Sequence, residues 1–461
     1  MWSGIDIVAM LSLLTLSTMG HQYEVYLDPK GRFRFQWSVD YHREMVEVRL
    51  SARATDRSWF AVGFSDYGNV TLADLLVLWT DKEKKYHTVD AHTDKHGTLE
   101  ADHQQDYHVT AVTSTRGGGV VLSFKRRFDT CDTEDYTLDR GTTHILYIEA
   151  PPGWEEGESP LGKRITEFPS GLQRVQLLKP EVPPQILPAD TWTFEIRAPQ
   201  ILVPAKETTY WWHTTILPNI PEKHHIIRYE GVIGEGSHDL VHHMEVFHCP
   251  LDKGSSIPYF SGPGLGEGKP HGLEVCREVI GAWAMGAEVT CPVPIFVSRD
   301  GRMDTSGIRF YVTSQLRPQE AGIMELGLEY TNKMAIPPGQ RRFQLTGYCV
   351  HDCTRLGLPP GGIRVFASQL HTHLTGRRVV TRHVRRGREL RVLNEDKHYS
   401  QHFQEIRRLQ PPVAVYPGDD LLTTCEYDTT SRPNVTVDPS QSLSEDPDIP
   451  HKLEGSIPDQ V

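Results

Sequence analysis

The chain has 461 residues and a formal net charge of −12, with 48 Lys and Arg against 60 Asp and Glu. This length allows about two to four domains with ample buried core. No long basic run or basic helix is present, which argues against nucleic acid as a partner. Proline and glycine are plentiful and short β-like runs outnumber helical patterns, so the composition predicts an all-β protein built from sandwiches.

Residues 1–20 contain an apolar run from Ile5 to Leu16 that is followed by small residues, although the usual basic start is missing. This pattern predicts a signal peptide, the alternative being a buried strand or helix. The run is short for a membrane span, and no later segment is apolar enough to cross a bilayer. Glycosylation sequons at Asn69 and Asn434 agree with secretion. We therefore expect the secretory pathway.

Residues 21–160 alternate between apolar and polar side chains, as in Phe33–Trp37 and Val46–Leu50. Period-two alternation in several short runs predicts an antiparallel β-sandwich. No catalytic constellation occurs in this region. Residues 161–191, which include Pro183 and Pro184, are interpreted as a linker.

A second region begins near Trp192 and is centred on the adjacent residues His242 and His243. Neighbouring residues of a regular strand face opposite sides. Either the backbone bends so that both imidazoles bind one metal ion, or one histidine is in the core and the other on the surface. A further pair, His224 and His225, is interpreted as structural.

The third region contains His371 and His373 near the end of Gly362–Arg377, which is predicted to be one strand. Side chains at i and i+2 leave the same face of a strand, with Cα atoms about 7 Å apart. Two imidazoles at that spacing can bind one ion, and imidazole suits copper or zinc. The alternative is a polar strand face with two solvated histidines.

The cysteine count is odd, so at least one cysteine is unpaired or bridges chains. Cys349 and Cys353 have the spacing of a metal half-site, but in a secreted protein disulfides are favoured. The seven cysteines are Cys131, Cys249, Cys276, Cys291, Cys349, Cys353 and Cys425.

Several long motifs, in order and spacing, resemble the copper type II, ascorbate-dependent monooxygenases over about residues 25–435. Residues 21–160 resemble the DOMON domain of that family. The motifs are Tyr210-Trp211, His224–Ile227, His242–Phe247, Leu345–Cys349, Phe366–Gly376, His398–Ser400 and His402–Arg407.

The resemblance implies two jelly-roll-like β-domains, at 192–304 and 305–437, that hold two copper ions across a solvent cleft. It assigns His242 and His243 to an electron-transfer copper, and His371 and His373 to an oxygen-activating copper. It also implies that ascorbate is the reductant, that O₂ is consumed, and that an activated C–H bond of a small molecule is hydroxylated, with a catecholamine as one candidate substrate.

Further residues are assigned by the same resemblance. Tyr210 and His371 match positions that the family uses as active-site residues. Cys249 and Cys276 match a family disulfide. The other family cysteines present here, which are Cys131, Cys349, Cys353 and Cys425, are expected to be free.

The chain departs from the family pattern at both expected copper sites. No histidine lies between His271 and His351, and the segment after Gly286 is short, which predicts a deletion inside the first jelly roll. His248 or His271 is the available substitute for the third histidine. The last methionine is Met334, so no thioether follows His373, and the second jelly roll is expected to be truncated. The acidic stretch 438–461 is predicted to be disordered.

Two protein ligands, where the family has three, leave more than one function open. The first hypothesis is an active secreted hydroxylase. The second is a catalytically impaired family member or isoform that acts only as a secreted binding module. A structural zinc protein is a third alternative.

Overall fold

The computed structural model describes residues 23–53, 58–155, 157–181, 185–204, 209–237, 240–252, 254–264, 270–284, 302–327 and 334–436. The predicted signal peptide, the acidic stretch 438–461 and Cys291 lie outside these residues. Within the described ranges the regular structure is almost entirely strand, the exceptions being α1 (His351–Gly357) and a 3₁₀ turn at Leu273–Val275. The predicted all-β fold class is confirmed.

The N-terminal strands form two antiparallel sheets packed face to face. One has the order β1-β2-β3-β9-β8 and the other β11-β10-β4-β5-β6-β7. The strands are β1 (Tyr23–Tyr26), β2 (Phe33–Asp40), β3 (Met45–Ala52), β4 (Trp59–Ser65), β5 (Asp74–Thr80), β6 (Tyr86–Thr93), β7 (Leu99–Ala101), β8 (His108–Ser114), β9 (Val120–Arg127), β10 (Thr143–Glu149) and β11 (Ser170–Val175).

The alternation seen in the sequence becomes the core of this sandwich. Phe33, Phe35 and Trp37 of β2 face inward and are buried, while the residues between them are only partly covered. Strand β4 is buried along its whole length, because a second apolar cluster around Trp59 covers the outer face of its sheet. Strand β11 comes from the predicted linker, so the sandwich extends beyond residue 160.

The middle region consists of small sheets. Its described strands pair in the orders β12-β20-β15, β13-β19, β14-β17 and β16-β18. These strands are β12 (Trp192–Arg197), β13 (Ile201–Leu202), β14 (Trp211–His213), β15 (His225–Val232), β16 (His243–His248), β17 (Ser261–Pro263), β18 (Glu278–Ala284), β19 (Met303–Asp304) and β20 (Gly307–Thr313). The apolar side of β20, with Ile308, Phe310 and Val312, supplies buried core.

The C-terminal region contains one larger antiparallel sheet, β21-β27-β23-β24 with β25 on β23, and the pair β22-β26. Its strands are β21 (Phe343–Cys349), β22 (Ile363–Ser368), β23 (Gly376–Arg385), β24 (Arg388–Glu389), β25 (Asn394–Asp396), β26 (Arg407–Val415) and β27 (Asp419–Tyr427). No helix in the described part of the chain has both the length and the apolar character needed to span a membrane.

The single strand expected at Gly362–Arg377 is wrong, because β22 ends at Ser368 and β23 begins at Gly376. The histidine pair lies in the connection. Tyr399 replaces a ladder partner there: its hydroxyl accepts from the Thr372 N–H at 2.9 Å and donates to the Thr372 carbonyl at 2.8 Å. The connection therefore has its backbone polar groups satisfied without being a strand.

Buried polar contacts join the sandwich to the C-terminal region. Asp396 Oδ2 accepts from Thr142 Oγ1 at 2.6 Å and from Arg407 Nη1 at 2.9 Å. Tyr136 OH and His398 Nδ1 are 2.6 Å apart. These contacts hold both ends of segment 398–407, which carries two glutamines of the site described below.

The predicted disulfide Cys249–Cys276 is present. The family resemblance predicted that Cys349 and Cys353 would be free. They are instead bonded to each other. Cys349 ends β21 and Cys353 lies in the first turn of α1, which places their Cα atoms 5.3 Å apart, within the usual range for a disulfide. This bond also excludes the metal half-site alternative. Cys131 and Cys425 are free, in agreement with the prediction.

Candidate metal centre

The adjacent histidines converge because only one of them belongs to a strand. His243 is the first residue of β16, whereas His242 precedes it, and their Nδ1 atoms are 3.2 Å apart. His242 Nε2 lies 3.0 Å from the Gln401 carbonyl oxygen. A carbonyl oxygen only accepts, so Nε2 carries the proton and Nδ1 presents its lone pair toward His243.

The second pair is oriented in the same way by a glutamine. Gln404 Nε2 donates to the Gln401 carbonyl at 2.7 Å, which turns its Oε1 toward His371 Nδ1 at 2.6 Å. His371 Nδ1 therefore donates, and the lone pair of its Nε2 points toward His373 Nε2, 2.9 Å away. Hydrogen bonding of the distal nitrogen is how proteins orient a metal-binding imidazole.

The two pairs form a single cluster. The rings of His243 and His371 are 6.4 Å apart, and the Tyr210 ring lies 6.1 Å from that of His243. The solvent cleft implied by the resemblance does not separate the pairs in this structure. The Gln401 carbonyl explains the proximity, because it accepts both from His242 and from Gln404, the partner of His371.

Burial keeps the first pair neutral. Burial lowers the pKa of His243 to about 4, and the nearby His242 and His371 act in the same direction. Burial also lowers the pKa of His242, against the opposing effect of the Gln401 carbonyl. Both imidazoles are thus unprotonated at neutral pH, which is the form that binds a metal ion.

The paired nitrogens fit copper. Two nitrogens that are 2.9–3.2 Å apart and each about 2.0 Å from a shared ion subtend an angle of about 90–110°. Neutral imidazole is a suitable ligand for copper. Each pair can therefore supply two ligands to one ion.

The proposed substitutes for a third ligand are elsewhere. His248 lies five residues beyond His243 on β16, about 16 Å away and on the opposite face. Its Nδ1 is 3.2 Å from Glu278 Oε2. His271 is fully exposed, with Nδ1 3.9 Å from Glu274 Oε1. Neither histidine can join the cluster in this arrangement.

Three residues of the cluster were missed by sequence reasoning. Gln404 lies in the motif His402–Arg407, and Gln401 lies between that motif and His398–Ser400; the resemblance assigns no role to either glutamine. Glu245 lies on the same face of β16 as His243 and is exposed at the surface. Partial burial of its carboxyl group raises its pKa, His371 lowers it, and Glu325 raises it further. The H-x-E spacing on one strand was the available signal.

Comparison with known proteins decides the lineage. Residues 29–150 match the DOMON domain, residues 194–294 match the N-terminal domain of the copper type II ascorbate-dependent monooxygenases, and residues 319–445 match the C-terminal domain. Human dopamine beta-hydroxylase is 46% identical over 441 residues, which cover 90% of this chain and 70% of the relative. The chain belongs to the copper type II ascorbate-dependent monooxygenase family.

Other members of the monooxygenase family show similar coverage. Tyramine beta-hydroxylase of Caenorhabditis briggsae is 35% identical over 87% of this chain and 71% of its own length. DBH-like monooxygenase protein 1 of Mus musculus is 31% identical, and the match covers 94% of this chain and 74% of the relative. Copper and ascorbate, the cofactors expected from the sequence, are those of the family. The boundaries of the two copper domains and the metal-binding and active-site residues given above stay predictions.

Proposed function

We propose that this protein hydroxylates an activated C–H bond of a small molecule, using copper, ascorbate and O₂. The observation that carries the proposal is the convergence of two histidine pairs with ring nitrogens 3.2 and 2.9 Å apart. His242 and His243 would hold one copper, and His371 and His373 the other. Bound copper supplies one-electron redox chemistry and O₂ activation.

The chain's own groups prepare these ligands. The Gln401 carbonyl fixes the tautomer of His242, and Gln404 fixes that of His371. Burial keeps His243 deprotonated. Tyr210, whose ring is 6.1 Å from that of His243, is placed to contact a substrate that enters the cluster. His371 is the other residue proposed for the active site.

The charge around the cluster favours an amine substrate. Glu245 lies close enough to His371 and to Glu325 for both to affect its pKa. Two carboxylates attract an ammonium group and would orient an arylethylamine. The names of dopamine and tyramine beta-hydroxylase agree with that substrate class.

Oxygen uptake tests the activity. With copper-loaded protein and ascorbate, tyramine should raise oxygen uptake above a copper-only blank and yield a hydroxylated product. His371→Ala should abolish this uptake, whereas His248→Ala, an exposed histidine on β16, should leave it unchanged. No amine-dependent uptake, with copper analysis showing a loaded protein, would overturn the proposal and favour the non-catalytic binding module.

The secretory pathway is proposed for this chain as well. The two disulfides Cys249–Cys276 and Cys349–Cys353 require oxidising conditions, and Asn69 and Asn434 are both exposed. Protein from secretory cells should lose mass when treated with an N-glycosidase, and Asn69→Gln with Asn434→Gln should remove that loss. An unglycosylated protein with reduced cysteines would contradict this localisation.

A further inference from the structure

A histidine and several carboxylates share one face of the β6–β7 hairpin in the DOMON-type sandwich. These residues are distant in sequence from the copper cluster. His92 of β6 is opposite Glu100 of β7. The N–H of Asp102, two residues after Glu100, donates to the Asp90 carbonyl at 3.0 Å. Because side chains two residues apart on a strand leave the same face, His92, Glu100 and Asp102 project together.

Glu134 approaches the same imidazole from another part of the fold, the connection between β9 and β10. His92 Nδ1 forms a hydrogen bond with Asp102 Oδ1 and lies 3.6 Å from Glu134 Oε2. One ligand atom each from His92, Asp102 and Glu134 all lie within 4.8 Å of one another. On the other side of the ring, Glu100 Oε2 is 3.9 Å from Nε2.

Asp102 is the buried carboxylate of this group. Its side chain is only 1% exposed, and its Oδ2 has no N–H or hydroxyl partner in the part of the chain that the structure describes; the carboxyl group of Asp90 lies beside it. A buried carboxylate oxygen without a partner is costly. The Arg126 guanidinium pairs instead with other carboxylates, with Nη2 2.6 Å from Asp74 Oδ2 and 3.5 Å from Asp135 Oδ2.

We propose that His92, Asp102 and Glu134 bind a divalent transition-metal ion of the zinc class. Zinc takes imidazole nitrogen and carboxylate oxygen together, and three protein ligands leave a position for water. The imidazole distinguishes the site from one for calcium or magnesium, which prefer oxygen ligands only. The Glu100 carboxylate, 3.9 Å from the other ring nitrogen, adds negative charge beside the site.

The bound ion would be structural. It would tie the β6–β7 hairpin at the edge of the six-stranded sheet to the connection that follows β9 of the other sheet. No described residue of the copper cluster takes part, so this site is independent of the proposed hydroxylation.

The test compares zinc content in the full-length protein and its variants. The chain is dialysed against zinc, washed and analysed for bound metal, with the copper-cluster histidines intact in every sample. His92→Ala should bind one equivalent less than the parent. His87→Ala is the matched control, because His87 is also on β6 but contacts a single carboxylate, Asp81, at 2.7 Å; it should bind as many equivalents as the parent.

Glu134→Gln is the second variant, because it keeps the His92–Asp102 contact and should not affect folding. Its zinc affinity at this site should fall about tenfold or more, since even residues outside the ligand set commonly have that effect. Equal zinc stoichiometry in the parent, His92→Ala and His87→Ala would overturn the proposal. If His92→Ala fails to fold, an affinity of Glu134→Gln equal to that of the parent would overturn it.

Discussion

Gln404 Oε1 lies 2.6 Å from His371 Nδ1, and Gln404 Nε2 donates at 2.7 Å to the carbonyl that also accepts from His242. One glutamine thus connects both histidine pairs. It sets the tautomer of His371 directly and shares an acceptor with His242.

Replacing Gln404 with leucine should weaken copper binding at the His371–His373 pair by about 10–100-fold, because the distal nitrogen loses its acceptor. Competition titration with a Cu(I) chelator measures this change. Gln344→Leu is the control, because Gln344 contacts Glu426 on a different surface. Equal copper affinity in both variants would show that Gln404 does not orient the ligand.

Asp396→Asn should destabilise the protein by about 3–5 kcal/mol, because the largely buried Arg407 loses its ion-pair partner at 2.9 Å and keeps only Glu405 at 3.9 Å. Burial alone would raise the pKa of Asp396, but Arg407 and Thr142 outweigh burial and lower it, so the carboxylate is ionised. Urea unfolding measures the loss.

The neighbouring Glu395→Gln is the control for that variant. Glu395 pairs with Arg378 in a more exposed position, so its loss should cost about 1 kcal/mol or less. Copper affinity should also fall in Asp396→Asn, since Asp396 anchors the segment with Gln401 and Gln404. A loss no larger than that of Glu395→Gln would refute the anchoring role.

His144 should make the sandwich sensitive to acid. Burial in β10 lowers its pKa to about 3, and Arg174 adds to this effect. The unfolded chain, with a His pKa near 6.5, binds a proton that the folded chain does not, so stability is lost as the pH falls from about 6.5 toward 4. Over that range the titration of His144 should lower the free energy of unfolding by about 3 kcal/mol.

His144→Asn should therefore reduce the slope of unfolding free energy against pH, measured by urea unfolding at several pH values. The same slope in His144→Asn and the parent would mean that folding does not lower the pKa of His144.

The two disulfides should differ in how much they contribute to the free energy of unfolding. Loop closure predicts that the Cys249–Cys276 bond, with a sequence separation of 27, contributes about 3.5 kcal/mol, and the Cys349–Cys353 bond, with a separation of 4, about 2 kcal/mol. Serine variants of each pair, compared by urea unfolding, test the order. A larger loss from the Cys349–Cys353 pair would contradict it.

Local patterns were enough to predict the fold class and the ligand candidates. Alternation with period two, as in Phe33, Phe35 and Trp37, depends only on which face of a strand is buried. The two histidine pairs are likewise visible as short motifs. The Cys249–Cys276 bond followed from the resemblance to the family and is present.

Only the tertiary structure decided how the pairs meet and what orients them. His242 and the Gln401 carbonyl are separated by 159 positions in sequence, and no periodicity links such distant residues. The prediction of a strand through His371 was wrong because the Thr372 backbone bonds to the Tyr399 hydroxyl, 27 positions later in the sequence, and not to a neighbouring strand. The bond between Cys349 and Cys353 depends on the turn into α1. Residue types and short spacings set which groups are available, whereas long-range hydrogen bonds set where their lone pairs point.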